Sequence, residues 1–409
     1  MKSITVSFVI LFLLTVNLFS QKLNDNLSIQ VDSGYINVDG GKLFYEIAGE
    51  GDYIVLLHDG LVHREIWDNQ FLVFAKKYRV VRFDRRGYGK STFPNAQFSH
   101  IEDLNQLFIQ LKIDSAIIFG ISGGGELAID FTLKYPEKIK AMILAGAVVS
   151  GYGVTNHTIT RGGRLNSIVD VLYNPKKFLE YFGKIDPYEI NPKNLKAREK
   201  FVQLLKENPN DLNFKRESFV IPAERPALGH LPEIKVPTLV LVGEYDMPDI
   251  QANGGVIEVG IPNAKRDIIY NSGHLIPFDQ PEAFNAAVFK FLNSIEFYKI
   301  LSSQGVNAAA KYFYDRRKSE SDIVMFDEIE MNALGYQFLQ NGKVKDAVEL
   351  FKLNTFAYPK SGNVYDSLGE AYLKDGQKEL AVTNYKKSLE LNPDNENAKK
   401  ILKQIENNK

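Results

Sequence analysis

The chain contains no cysteine. That absence excludes disulfides, a thiol nucleophile, cysteine-ligated metal and a lipid-modified cysteine near the N-terminus, so packing and other side chains must carry both fold and chemistry. Charge of either sign is scarcely in excess: 49 Lys and Arg against 50 Asp and Glu leave a formal −1 over 409 residues. This balance gives no electrostatic argument for nucleic acid or an acidic membrane surface as a partner. Long apolar runs are also lacking, with one exception. Ile4–Phe19 follows Lys2 and is interrupted only by Thr5, Ser7, Thr15 and Asn17. At about 16 residues it falls short of the roughly 20 needed to span a bilayer. A positive start, an apolar stretch of this length and Ser20-Gln21 at its end read as a signal peptide over residues 1–20, with Leu18 bulkier than the usual residue at its position. The expectation is an exported, periplasmic or extracellular protein, an uncleaved anchor being the alternative.

What is present is a folded protein's composition, 44% apolar and 24% charged, at a length that suggests two or three domains. The organising stretch is Ala116–Ala128. A short apolar run enters Gly120-Ile121-Ser122-Gly123-Gly124-Gly125 and leaves into a helix-like pattern of Leu127, Phe131 and Leu133. Such a run reads as a buried parallel strand feeding a tight turn. A serine hydroxyl attacks a carbonyl only when it stands clear of the backbone and beside a base, and a sharp strand-to-helix turn lined with glycine puts it there. Ser122 is the candidate nucleophile. The Gly123 N–H, opening a helix, is a candidate donor to a developing oxyanion.

Further strands alternate with helical stretches, which implies a mostly parallel sheet with helices on both faces. Two of them end in chemically useful loops. Val236–Val242 runs into Gly243-Glu244-Tyr245-Asp246, and Asp267–Tyr270 into Asn271-Ser272-Gly273-His274. A histidine base and a carboxylate that fixes its tautomer are what a serine needs at neutral pH. Ser122, Asp246 and His274 follow one another in that order along the chain, and Glu244 and Asp249 are rivals for the carboxylate.

These elements resemble the α/β-hydrolase superfamily over about residues 34–295. The resemblance implies a doubly wound, mostly parallel sheet and an oxyanion donor at Gly60, after Ile54–Leu57 and His58, with His58 itself structural. Asp84-Arg85-Arg86-Gly87-Tyr88-Gly89-Lys90-Ser91 resembles the superfamily's Asp-x-Arg-Gly-x-Gly-x-Ser segment, and Asp84 and Arg86 are expected to tie that loop together. It is not a phosphate loop, since Gly89-Lys90-Ser91 does not stand at that motif's spacing with a helix behind it. Asp59 replaces the usual glycine; its side chain is expected to turn from the oxyanion, paired with His63 or Arg64 or with a cationic part of the substrate. Between about 148 and 232 the strand rhythm stops, and helical segments near 168–172, 178–182 and 197–205 imply a cap over the active site. His157, Arg161, Arg164 and His230 are pocket candidates there, solvated surface being the commoner fate of each.

Past Glu282–Ile295, read as the hydrolase's closing helix, the chain changes character. Leu334-Gly335, Gly342, Ala347, Phe351 and Pro359 recur 34 residues later as Leu368-Gly369, Gly376, Ala381, Tyr385 and Pro393. This resembles tetratricopeptide repeats, helical hairpins in which glycine permits the turn, alanine the close approach and an aromatic fills the gap. A weaker echo at Phe297, Gly305, Ala310 and Tyr314 reads either as a degenerate first repeat or as a linker, giving an all-α repeat domain over 297–405 that is a candidate surface for a peptide or protein. The whole reads as a secreted serine hydrolase taking a small acyl substrate (ester, thioester or amide), with no metal or organic cofactor. Cofactor-free perhydrolysis on the same triad and a non-catalytic scaffold are the alternatives.

Overall fold

The computed structural model describes residues 29–153, 177 and 194–407. The signal segment, the expected cap helices near 168–172 and 178–182, and His157, Arg161 and Arg164 lie outside them. The chain divides between Pro281 and Glu282 into two compact units.

The first unit is built on eight strands: β1 (Val31–Val38), β2 (Gly41–Ala48), β3 (Tyr53–Leu57), β4 (Arg79–Phe83), β5 (Ala116–Ile121), β6 (Ile139–Ala145), β7 (Thr238–Gly243) and β8 (Ala264–Ile269). Their order across the sheet is β1-β2-β4-β3-β5-β6-β7-β8. β1 and β2 form the expected hairpin, and β2 meets β4 antiparallel; every other pairing is parallel. Around it lie α1 (Asp68–Ala75), α2 (His100–Gln110), α3 (Gly123–Lys134), α4 (Leu195–Glu207) and α5 (Pro248–Gly260). The sequence sets the ends of these helices. Ser99 caps α2 by accepting from the Glu102 N–H, Asn194 caps α4 by accepting from Ala197, and α5 opens on a proline that lacks the donor a first turn cannot use.

Helices cover the central strands, so β5 and β7 are buried at every position and read as continuous apolar runs instead of alternating. Ile118, Leu104, Leu107, Phe108, Phe131 and Val55 belong to the resulting core. Register matters for function. Leu57 pairs with Gly120 and Gly243 with Ile269, so the loops after β3 and β5, and those after β7 and β8, leave the sheet at matching heights along its carboxyl edge.

The second unit starts with α6 (Pro281–Gln304) and continues through α7 (Val306–Ser319), α8 (Glu328–Gln340), α9 (Val344–Ala357), α10 (Gly362–Lys374), α11 (Lys378–Leu391) and α12 (Glu396–Asn407). The sequence places a change of character at 295–297, whereas the compact units part between Pro281 and Glu282. α6 runs unbroken through those positions, because no glycine or proline interrupts Glu282–Gln304 and the first break is Gly305, at φ +87°. The 34-residue pattern has a direct packing cause. A Cβ at Gly335 would stand 2.5 Å from the Phe351 ring and one at Gly369 3.1 Å from Tyr385, so in each hairpin the aromatic occupies the space glycine leaves. Ala347 and Ala381 are fully buried at the helix approach, and Tyr336 Oη donates to Glu370 at 3.1 Å, bridging successive hairpins.

Candidate active site

Ser122 stands between β5 and α3 with φ 53° and ψ −121°, a left-handed conformation that a non-glycine residue adopts only under constraint. The constraint is local. Ser122 N–H donates to Ala145 O at 2.9 Å, its carbonyl accepts from Gly125 and Glu126, and Gly124 presses so closely on the Leu57 and His58 carbonyls that any side chain there would collide. Strain of this kind, over-determined by its surroundings, is what lifts a hydroxyl clear of the sheet.

His274 and Asp246 are buried and joined: His274 Nδ1 lies 3.0 Å from Asp246 Oδ1 and 3.2 Å from Oδ2. A carboxylate on Nδ1 fixes the proton there and leaves Nε2 as the basic nitrogen. Asp246 is itself held, its Oδ1 accepting from Met247 N–H at 2.7 Å. Of the rivals, Glu244 accepts from the Asn271 N–H at 2.8 Å. A residue missed in the sequence steadies the histidine loop: buried Asp279 accepts from Gly273 N–H at 2.7 Å.

The two glycines expected to supply oxyanion donors lie close together. A Cβ placed on Gly123 would lie 4.0 Å from the Gly60 nitrogen, and neither N–H makes a hydrogen bond among the described residues. The Asp59–Gly60 peptide is aimed by its carbonyl, which accepts from His58 Nδ1 at 2.8 Å and from Arg85 Nη2. His58 Nε2 accepts from Arg85 N–H at 2.8 Å, so the ring is locked as the neutral Nδ1–H tautomer. Burial, then the field of Arg85, holds its pKa well below the ordinary range. His58 is structural, as expected. The next carbonyl, Gly60 O, accepts from Tyr88 Oη at 2.9 Å and from Arg216 Nη2 at 3.4 Å.

Asp59 departs from expectation. It is buried but pairs with neither His63 nor Arg64, which are taken by Asp211 at 2.7 Å and by Asp84 at 3.0 Å. Its Oδ1 instead accepts from the backbone N–H groups of Leu61 and Val62, closing the turn that follows Gly60, while Oδ2 has no partner among the described residues. Burial raises its pKa against these bonds. Asp84 and Arg86 do tie the loop: Asp84 accepts from Arg64 and from Lys90 N–H, and Arg86 grips Asp103 on α2 and the Asp39 carbonyl. His230 is a surface residue, 2.8 Å from Glu233.

A cavity of about 810 Å³ opens over this edge, its lining including Ser122, Gly60, Gly123, Arg85, His100 and Glu126. The segment around 214–226 forms one wall, tied down where Phe98 pairs with Val220 as a parallel bridge.

A profile described as alpha/beta hydrolase fold matches residues 53–161, and one described as tetratricopeptide repeat matches 362–395. The chain is 31% identical over 278 residues to the 2-hydroxy-6-oxononadienedioate/2-hydroxy-6-oxononatrienedioate hydrolase of Burkholderia vietnamiensis, spanning 64% of this chain and 95% of that protein. The like-named protein of Paraburkholderia phymatum is 30% identical with the same coverage. Among solved structures, MGS-M2, an α/β-hydrolase enzyme from a Medee basin deep-sea metagenome library, superposes with a TM-score of 0.53 at 26% identity, over 63% of this chain and 97% of its own. The chain belongs to the α/β-hydrolase family and is an enzyme of the hydrolase type, carrying tetratricopeptide repeats toward its C-terminus.

Proposed function

We propose that this protein is a serine hydrolase that cleaves an ester, thioester or amide by way of an acyl-enzyme. Ser122 attacks the carbonyl while His274 Nε2 takes its proton, the Asp246 carboxylate stabilises the imidazolium, and the Gly60 and Gly123 N–H groups receive the oxyanion. His274 then protonates the leaving group, and water, activated by the same nitrogen, releases the acid. The buried His274–Asp246 pair on the sheet edge that carries the strained Ser122 is the observation that supports this most. The named relatives are hydrolases of oxo-dicarboxylates, consistent with attack at a carbonyl.

The N-terminal apolar segment supports export, and the repeats support a peptide or protein ligand for the second unit. Intact-mass analysis after treatment with a fluorophosphonate tests the chemistry: one adduct on the wild type and none on Ser122→Ala is the expected result. An adduct that persists on Ser122→Ala, or none on either, overturns it.

A further inference from the structure

Among the described residues that line the cavity, Arg85 is the one Lys or Arg, and the triad does not use it. Arg85 is 6% exposed and reaches the cavity beside the predicted oxyanion donors: its Nη2 lies 3.9 Å from the point a Gly123 Cβ would occupy, the same point that is 4.0 Å from Gly60 N. Among the described residues its side chain makes one hydrogen bond, Nη2 to the Asp59 carbonyl, and its buried Nε finds no partner. Its neighbours are neutralised. Arg86 is paired with Asp103 at 2.6 Å and Arg216 lies 3.3 Å from Glu217, whereas Arg85 has no ion pair among the described residues.

The two carboxyls in whose field Arg85 stands, Asp59 and Glu126, do not compensate it. Neither reaches it as an ion pair among the described residues. His100, on the same cavity wall, has its pKa lowered by burial and then by the charges of Arg85, Arg216 and Arg86. A desolvated guanidinium with spare donors is costly unless an anion arrives, and its planar fork matches a carboxylate.

We propose that Arg85 is the recognition point for a carboxylate that the substrate carries a few atoms from its scissile carbonyl. Its distance from the Gly123 position sets the spacing: the carbonyl oxygen enters between the Gly60 and Gly123 N–H groups while the carboxylate turns toward the guanidinium. Glu126, one turn along α3 from Ser122, disfavours a second carboxylate. The inference rests on the acyl-hydrolysis reading and specifies its substrate as a monoanionic acyl compound.

Monomethyl succinate and its neutral counterpart dimethyl succinate test it, with wild type, Arg85→Gln and Arg85→Lys compared by kcat/KM. The wild type is expected to favour the anionic ester at least about tenfold. Arg85→Gln should lose roughly a hundredfold on the anionic ester and about tenfold or less on the neutral one, the smaller loss reflecting the missing bond to the Asp59 carbonyl. Arg85→Lys, which keeps the charge, should recover part of the preference. Parallel losses on both esters, or an unchanged ratio, would overturn the assignment and leave Arg85 as a residue that positions the Asp59–Gly60 peptide. Calorimetric binding of monomethyl succinate to Ser122→Ala, with and without Arg85→Gln, separates the two readings. Weaker binding on losing Arg85, with no wild-type turnover, sinks acyl hydrolysis and keeps the anion site; turnover with binding indifferent to Arg85 does the reverse.

Discussion

Asp59 shows how a single buried carboxyl can serve the backbone rather than the substrate. Its Oδ1 satisfies two N–H groups of the turn behind Gly60. Asp59→Ala should therefore cost about 1–3 kcal/mol in urea unfolding, because both donors are stranded, while Asp59→Asn, which keeps the acceptor, should cost less. Equal costs would mean the turn does not depend on that acceptor. Asp130 gives a pH-dependent test. Burial raises its pKa to about 6, opposed by the Ser150 hydroxyl at 2.7 Å and assisted by Glu126. A carboxyl whose folded value lies above the ordinary 3.8 holds its proton longer in the native state, so its contribution to stability declines as pH rises from about 4 to 6. Asp130→Asn is expected to remove that decline from a plot of melting temperature against pH; an unchanged slope would assign the decline elsewhere. At this scale the sequence was informative only where local chain geometry decides. Ser122, Asp246 and His274 stood out because each sits in a turn of recognisable chemistry at a strand's end. The partners of Asp59 were misjudged because His63 and Arg64, its neighbours along the chain, are claimed by Asp211 and Asp84 from far away in it.

Among the elements, the loop after β3 and the segment at 209–219 are fastened by charge. His63 Nδ1 meets Asp211 Oδ2 at 2.7 Å, and Asp211 Oδ1 accepts from Gly89 N–H at 2.9 Å. Burial alone would lower the imidazole's pKa, but the hydrogen bond to Asp211 and the Glu65 carboxylate 3.6 Å away outweigh it and push it up to about 9. The stability this pair contributes is complete below pH 6.5 and is lost as pH rises through 9. Asp211→Asn should cost about 3 kcal/mol or more near neutral pH and flatten that slope, since it removes the buried carboxylate bonded directly to the imidazolium; chemical denaturation at pH 6 and pH 9.5 checks both. The same segment brings Arg216, fully buried with its guanidinium 3.6 Å from the Tyr88 ring centre, to the Gly60 carbonyl. None of Arg85, Tyr88, Asp211 and Arg216 was legible as a site-builder, because topology and not local pattern assembles them. The helical hairpins were legible for the opposite reason: the glycine and the aromatic that fills its space recur at one offset along a single chain.

For the whole molecule, the mostly parallel sheet and the repeats followed from periodicity, whereas the point of division did not, because α6 continues through the point where the sequence motifs change hands. Two compact units suggest separable stability. Residues 282–409 expressed alone are expected to melt in one cooperative transition by circular dichroism, and Gly335→Ala should lower its midpoint by forcing the Phe351 ring to move; a sloping, non-cooperative melt would deny that unit independence. The central claim concerns the first unit, that Ser122 and His274 work as one catalytic device. Its most direct test is kcat for Ser122→Ala, His274→Ala and the double variant on an ester the wild type cleaves. Each single change should cost several orders of magnitude and the double little more than either, whereas losses that multiply would show two residues acting independently and contradict the triad.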